Sequence, residues 1–129
     1  MAERIRLKRV YDSRSDDDGE RIFVERLWPR GVSRERAAID EWMKEIAPSP
    51  ELRRWYGHDT SKWDEFRKRY QAELKEHEDL VEELEKRARK GTITLLFGSR
   101  DREHCSARVL KEYLERRMSS KHRARKPNE

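Results

Sequence analysis

One cysteine, four histidines and a few arginines that close strand-like segments are the residues of this 129-residue chain best suited to chemistry. Cys105 follows His104 at the expected start of a helix. A helix N-terminus lowers a thiol pKa and offers backbone N–H groups to an anion. The adjacent imidazole and nearby arginines favour thiolate further. Against that, Gly98-Ser99-Arg100-Asp101-Arg102-Glu103-His104-Cys105-Ser106 lacks the glycines that let a backbone wrap a phosphate. A packed, unreactive cysteine is the competing reading. His58-Asp59, after Gly57, reads either as an acid–base pair or with Asp59 as a local helix cap. His58, Asp101 and Cys105 are the reactive candidates.

The arginines point to binding. Residues 5–11 alternate with period two, so Ile5, Leu7, Arg9 and Tyr11 share a face and Arg9 extends an apolar row. In residues 21–27, Ile22, Val24, Arg26 and Trp28 form such a row, again ending in an arginine. Arg30 sits in the unusual turn Trp28-Pro29-Arg30-Gly31, and Arg100 in Gly98-Ser99-Arg100-Asp101. Guanidinium groups grip phosphates and carboxylates in a bidentate fork. Arg9, Arg26, Arg30 and Arg100, with Tyr11 beside Arg9 and Trp28 as a wall, form the expected ligand-binding set. In so charged a chain, arginines near strand ends also occur without a ligand. Asp16-Asp17-Asp18-Gly19 lacks the spacing of a calcium loop and reads as a solvated turn, so no metal site is assigned. HExxH, Walker, GxSxG and GxGxxG motifs are absent, and no cofactor can be named.

These residues need elements to position them. Strands are expected at 5–11, 21–27 and 92–97, the last apolar at four of six positions and therefore central. Residues 12–19 are dense in turn formers and read as a loop. Ser33 caps a helix over about 34–46, and Ser49-Pro50-Glu51 opens a short helix to about Tyr56. Ser61 and Asp64 resemble a capping box. Trp63, Phe66, Tyr70, Leu74, His77, Val81, Leu84 and Ala88 then mark one long amphipathic helix ended by Gly91, with His77 a packed or boundary residue. A last helix runs from about 103 to 118. The pattern predicts one compact α/β domain, residues 1–118, with a small, mostly parallel sheet flanked by helices. The pairing direction of the first two strands stays open, because their connection is too short for a helical crossover. If the sheet is parallel, the arginines gather at its carboxyl edge, where such sheets bind ligands.

Composition sets the outer bounds. Charged residues make up 46% of the chain, against about 25% in an ordinary globular protein. The 32 basic and 27 acidic residues nearly cancel, and eleven Trp, Tyr and Phe side chains can anchor a core. A single cysteine excludes a disulfide framework. The longest apolar run, Leu95-Leu96-Phe97, and the polar N-terminus leave no membrane span or signal peptide, and a cytoplasmic location is expected. Of the net charge of +5, residues 119–129 carry +3. They read as a disordered basic tail with a possible weak contact to nucleic acid.

Lys8-Arg9-Val10-Tyr11-Asp12, Asp17-Asp18-Gly19-Glu20-Arg21, Arg26-Leu27-Trp28-Pro29-Arg30-Gly31-Val32-Ser33, Ala47-Pro48-Ser49, Glu51-Leu52-Arg53, His58-Asp59 and Thr94-Leu95-Leu96-Phe97 together resemble the YeaO-like branch of domain-of-unknown-function family 488. The similarity runs from about residue 4 to 116. It implies a compact α/β domain of bacterial cytosolic proteins with no settled activity. Where the wider family has a Cys-His-Arg run, this chain has Cys105-Ser106-Ala107, and where relatives have Asp-Val-Arg it has Val24-Glu25-Arg26. The resemblance thus carries ligand binding through arginines over more readily than thiol chemistry. Three readings follow: a domain that binds, and in one version processes, a small anion or nucleotide; a non-catalytic nucleic-acid-binding module; or a protein-interaction module built on the long helix. The oligomeric state is not readable.

Overall fold

The structure, a computed structural model, describes residues 4–124. Four strands, β1 (Ile5–Arg9), β2 (Glu20–Phe23), β3 (Glu41–Trp42) and β4 (Ile93–Phe97), form one sheet in the order β1-β4-β2-β3. Every neighbouring pair is parallel. The open question about the first two strands is resolved by insertion: β4 lies between them, so they never pair. All five residues of β4 are buried, as its continuous apolar run requires.

The helices α2 (Pro50–Tyr56), α3 (Trp63–Lys75), α4 (Glu78–Lys90) and α5 (Ser106–Ala124) contribute to one core with Ile5, Ile22, Leu95 and Phe97. A smaller cluster of Val10, Phe23, Ala37 and Leu96 is covered by Val32, Ile39 and Trp42. The sheet is therefore sandwiched, and the domain is α/β. No helix among the described residues is long and apolar enough to cross a membrane.

Several boundaries differ from the sequence reading. The helix expected over 34–46 is only α1 (Arg34–Ala37), followed by β3 and a 3-10 turn at Lys44–Ile46. Its end is set by tertiary capture. Arg21 takes the carbonyls of Ala37 (2.7 Å) and Ala38 (3.0 Å), and Ala38 turns left-handed at φ 51°. The long helix is broken at Glu76-His77 into α3 and α4, and His77 becomes the residue that precedes α4. Glu78 and Asp79 then fall in a first helical turn, where the helix dipole favours acids. Helix α5 continues to Ala124, past the expected end near 118, and residues 125–129 of the expected tail lie outside the described residues.

The 12–19 loop is not simply a solvated turn. Asp18 and Arg21 are fully buried, joined at 2.8 Å, and Lys8 (3.0 Å) and Arg6 (3.4 Å) also reach the Asp18 carboxylate. Burial alone would raise that carboxyl's pKa. The Ser15 N–H, Lys8 and Arg21 outweigh burial and hold it well below the usual carboxylate range.

Candidate functional site

Parallel strands bring the ends of β2 and β4 to one edge of the sheet, where a cleft of about 320 Å³ opens. The chain leaving β2 supplies Glu25 and Arg26, and the chain leaving β4 supplies Gly98 and Ser99. Arg53 comes from α2 and His58 from the turn that follows it. His104, Cys105 and Ser106 enter at the start of α5, while Tyr56 and Phe66, ring centroids 4.6 Å apart, make an apolar wall.

Of the residues expected at a site, Arg26, His58 and Cys105 are brought together here. Arg26 is half-buried and braces the cleft rim: its Nε donates to the Pro48 carbonyl (3.2 Å) and Nη2 to that of Ala47 (3.3 Å), with Glu45 at 3.8 Å. Gly57 and His58 are both left-handed, at φ 54° and 59°, which costs the histidine some strain. Asp59 is the local cap: its Oδ1 accepts from the Ser61 N–H and hydroxyl at 3.0 and 2.7 Å.

Asp101 does not line the cleft but orients a residue that does. Its Oδ2 lies 2.9 Å from His104 Nδ1, and its Oδ1 accepts the backbone N–H groups of Glu103 and His104. The His104 backbone and side-chain bonds hold the Asp101 carboxyl below its ordinary pKa. With Nδ1 fixed, Nε2 is the histidine nitrogen left for a ligand. The ring also stands edge-on to Trp63 at 5.1 Å.

Arg9 lies behind the cleft wall. Its guanidinium donates to the carbonyls of Ser99 (2.9 Å) and Gly98 (3.1 Å), so it props the chain leaving β4 instead of facing the cleft. Tyr11 is exposed under Arg9, its hydroxyl 3.4 Å from the Arg30 carbonyl. Trp28 does not share the face of Arg26. Strand β2 ends at Phe23, the period-two count fails beyond it, and Trp28 packs on Phe23 and Trp42 with Nε1 donating to Val32 (2.7 Å). Arg30 and Arg100 are exposed and line no part of the cleft.

Cys105 shows the opposite of an activated thiol. Burial pushes its pKa up to about 11, the charge of Glu25 adds to this, and the N–H groups of Arg108 and Ala107 offset it only in part. The expected helix-terminus effect is thus overridden by desolvation. Iodoacetamide at pH 7.5 should therefore label Cys105 at least roughly tenfold more slowly than free cysteine, because the thiolate fraction is far lower. Labelling at the free-cysteine rate would show that the thiol is activated after all.

The sequence reading did not place Glu25 or Arg53 at a site, and it used His104 only as a neighbour of the Cys105 thiol. Glu25 carried a usable signal, being an acid two residues after Phe23 at the end of a buried strand. Arg53 carried none, since helical arginines are common. Among the described residues no group of three or more His, Cys, Asp or Glu side chains could hold a metal ion. Large exposed apolar side chains among the described residues are Tyr11 and Leu27, neither of them on α3 or α4. The nucleic-acid contact expected through 119–129 falls mostly on residues whose side chains lie outside the described ones.

The fold defines a small α/β domain with a cleft at the carboxyl edge of a parallel sheet. The chain belongs to the DUF488 family: the profile described as "Inactive DUF488-N3 subclade" matches residues 4–129. It is 43% identical over 110 residues to the uncharacterized protein YeaO of Escherichia coli (strain K12), covering 85% of this chain and 96% of that one. It is 39% identical over 111 residues to the uncharacterized proteins Rv3073c of Mycobacterium tuberculosis (strain ATCC 25618 / H37Rv) and Mb3100c of Mycobacterium bovis, covering 86% of this chain and 93% of each. No solved structure matches the chain significantly.

Proposed function

We propose that this domain binds a small anionic ligand in the cleft between the ends of β2 and β4 and does no thiol chemistry on it. The observation that carries the reading is the convergence of Arg53, His58 and His104 on one half-open cleft whose rim Arg26 braces. Arg53 is exposed and forms no contact ion pair among the described residues, its charge acting only at longer range on Glu25, so it can take a carboxylate or phosphate. The hydroxyls of Ser99 and Ser106 add neutral donors. A thiol raised to about 11 argues against nucleophilic catalysis, and the word "inactive" in the family's description agrees with a binding role. Arg26, named from the sequence, acts here through the rim it holds, while Arg53 takes the anion.

A thermal-shift screen with orthophosphate, sugar phosphates and small carboxylates tests this. A ligand at a hundredfold excess over its Kd stabilises by about 2.7 kcal/mol, which is several degrees of Tm for a domain of this size. Arg53→Gln, at an exposed position, should fold normally and lose most of the shift. No shift with any anion, or an equal shift in Arg53→Gln, overturns the proposal.

A further inference from the structure

We infer that the cleft selects molecules carrying an N–H donor group beside their anionic group, because the Glu25 carboxyl stands among the cations that would hold the anion. This rests on the anion-binding reading above and narrows its ligand class. Glu25 is half-buried two residues beyond β2 and lines the cleft with Arg53, His58 and His104. A carboxylate has about four acceptor positions. Glu25 accepts from the backbone N–H of Gly98, and the charges of Arg53 and His58 act on it from across the cleft without a contact ion pair among the described residues.

A half-exposed carboxyl whose remaining acceptor positions face the cleft can meet a donor group on a ligand. A simple anion worsens the position by repulsion. A ligand with an ammonium, an amidine or the donor edge of a heterocycle completes the hydrogen bonds of Glu25 while Arg53 and His58 take its anion. The groups facing Glu25 from each packed element are consistent with this. Arg26 adjoins it, Arg53 comes from α2, His58 from the following turn, His104 and Cys105 from the approach to α5, and buried Tyr70 from α3. Burial raises the Glu25 carboxyl above its ordinary pKa despite Gly98, Arg53 and His58. The apolar rings of Tyr56 and Phe66 leave room for a non-polar or planar ligand body. Amino-acid zwitterions and nucleoside monophosphates both have this chemistry.

Matched pairs separate the sources. Phenylalanine is compared with 3-phenylpropionate, which lacks the ammonium, and AMP with ribose 5-phosphate, which lacks the base. Orthophosphate serves as the bare anion. Binding is read as Tm shift and by calorimetry at pH 7.5, on the native chain and on Glu25→Gln, whose amide oxygen still accepts from Gly98. At least one donor-bearing member should bind the native chain roughly tenfold or more tightly than its partner, as a charge-assisted hydrogen bond requires. In Glu25→Gln that advantage should shrink several-fold while orthophosphate binds more tightly, so the variant moves the two ligand kinds in opposite directions. Should Glu25→Gln fail to fold, the native chain is titrated downward in pH. The within-pair advantage should fall as Glu25 protonates. Equal binding within both pairs, or an advantage that survives Glu25→Gln or acidification, overturns the inference and leaves anion binding standing. Absence of Arg53-dependent binding by any of the five probes overturns both.

Discussion

Asp18→Asn is expected to cost about 3–5 kcal/mol of folding stability at pH 7, the loss typical of breaking a buried ion pair from one side. The substitution keeps the shape and an acceptor oxygen but removes the charge that faces Arg21 at 2.8 Å, Lys8 at 3.0 Å and Arg6 at 3.4 Å. Arg21 has no exposed surface, so it cannot recover hydration by turning outward. Its remaining donors still reach the carbonyls of Asp12, Ala37 and Ala38, which limits the damage to the charge itself. Urea denaturation of the native chain and the variant measures the difference. A loss under about 1 kcal/mol would place the pair among weak surface bridges and refute the assignment. The double variant Asp18→Asn, Arg21→Met should lose less than the single one, because the orphaned charge goes with its partner.

The same pair sets an acid limit. The Asp18 carboxyl is depressed in the fold, so the unfolded chain binds its proton first as pH falls. Its contribution is complete above the ordinary carboxylate range and is lost as pH drops through and below it. Asp18→Asn should therefore show a flatter stability profile below about pH 4 than the native chain does.

Gly19→Ala should be comparably severe, a loss of more than about 3 kcal/mol, for a steric reason. Gly19 has φ 63° and ψ −137°, a region open almost only to glycine. A Cβ there would lie 2.0 Å from the Thr92 carbonyl oxygen and 2.7 Å from its carbon, both backbone atoms that cannot swing aside. The closeness has a purpose. The Glu20 N–H donates to Thr92 at 3.2 Å and the Thr94 hydroxyl to the Asp18 carbonyl at 2.7 Å, so this turn is stitched to the start of β4. Gly31→Ala is the control: its φ of 68° is also left-handed, but nothing lies within 4 Å of the added carbon. It should cost only about 1–2 kcal/mol. Equal losses at the two positions, by thermal or urea unfolding, would show that conformation alone matters and that the predicted contact does not.

Period and capping were enough to find β1, β4 and α2, because each rests on local chemistry. Ser49 accepts from Leu52 at 3.1 Å as a serine before a helical proline should. The helix expected over 34–46 failed because its carbonyls were claimed by Arg21, a partner distant in sequence and invisible to local pattern. Arg21 itself was within reach. The rule that singled out Arg9 and Arg26, a charge continuing an apolar row, applies equally to Arg21 before Phe23, with Asp18 three residues upstream. Arg9 and Arg26 did prove to be specially placed, although each holds backbone carbonyls of the cleft walls. Glu25 and Arg53 line one cleft only because α2 comes to the same sheet edge as the end of β2, which no spacing in the chain announces.

The strand order has a consequence for how the chain matures. Because β4 separates β1 from β2, the first two strands have no sheet partner in each other, and β3 adds only two residues of pairing to β2. A nascent chain that has reached the end of α4 holds α1 to α4 and most of its apolar residues but has neither the central strand on which to lay them nor α5. Pairing of Ile5 with Ile93 and of Ile22 with Leu95 closes loops of many tens of residues, and such long-range closure slows folding. The domain should therefore commit to its native state only once residues 93–97 have left the ribosome, with everything before them exposed to chaperones in the interval.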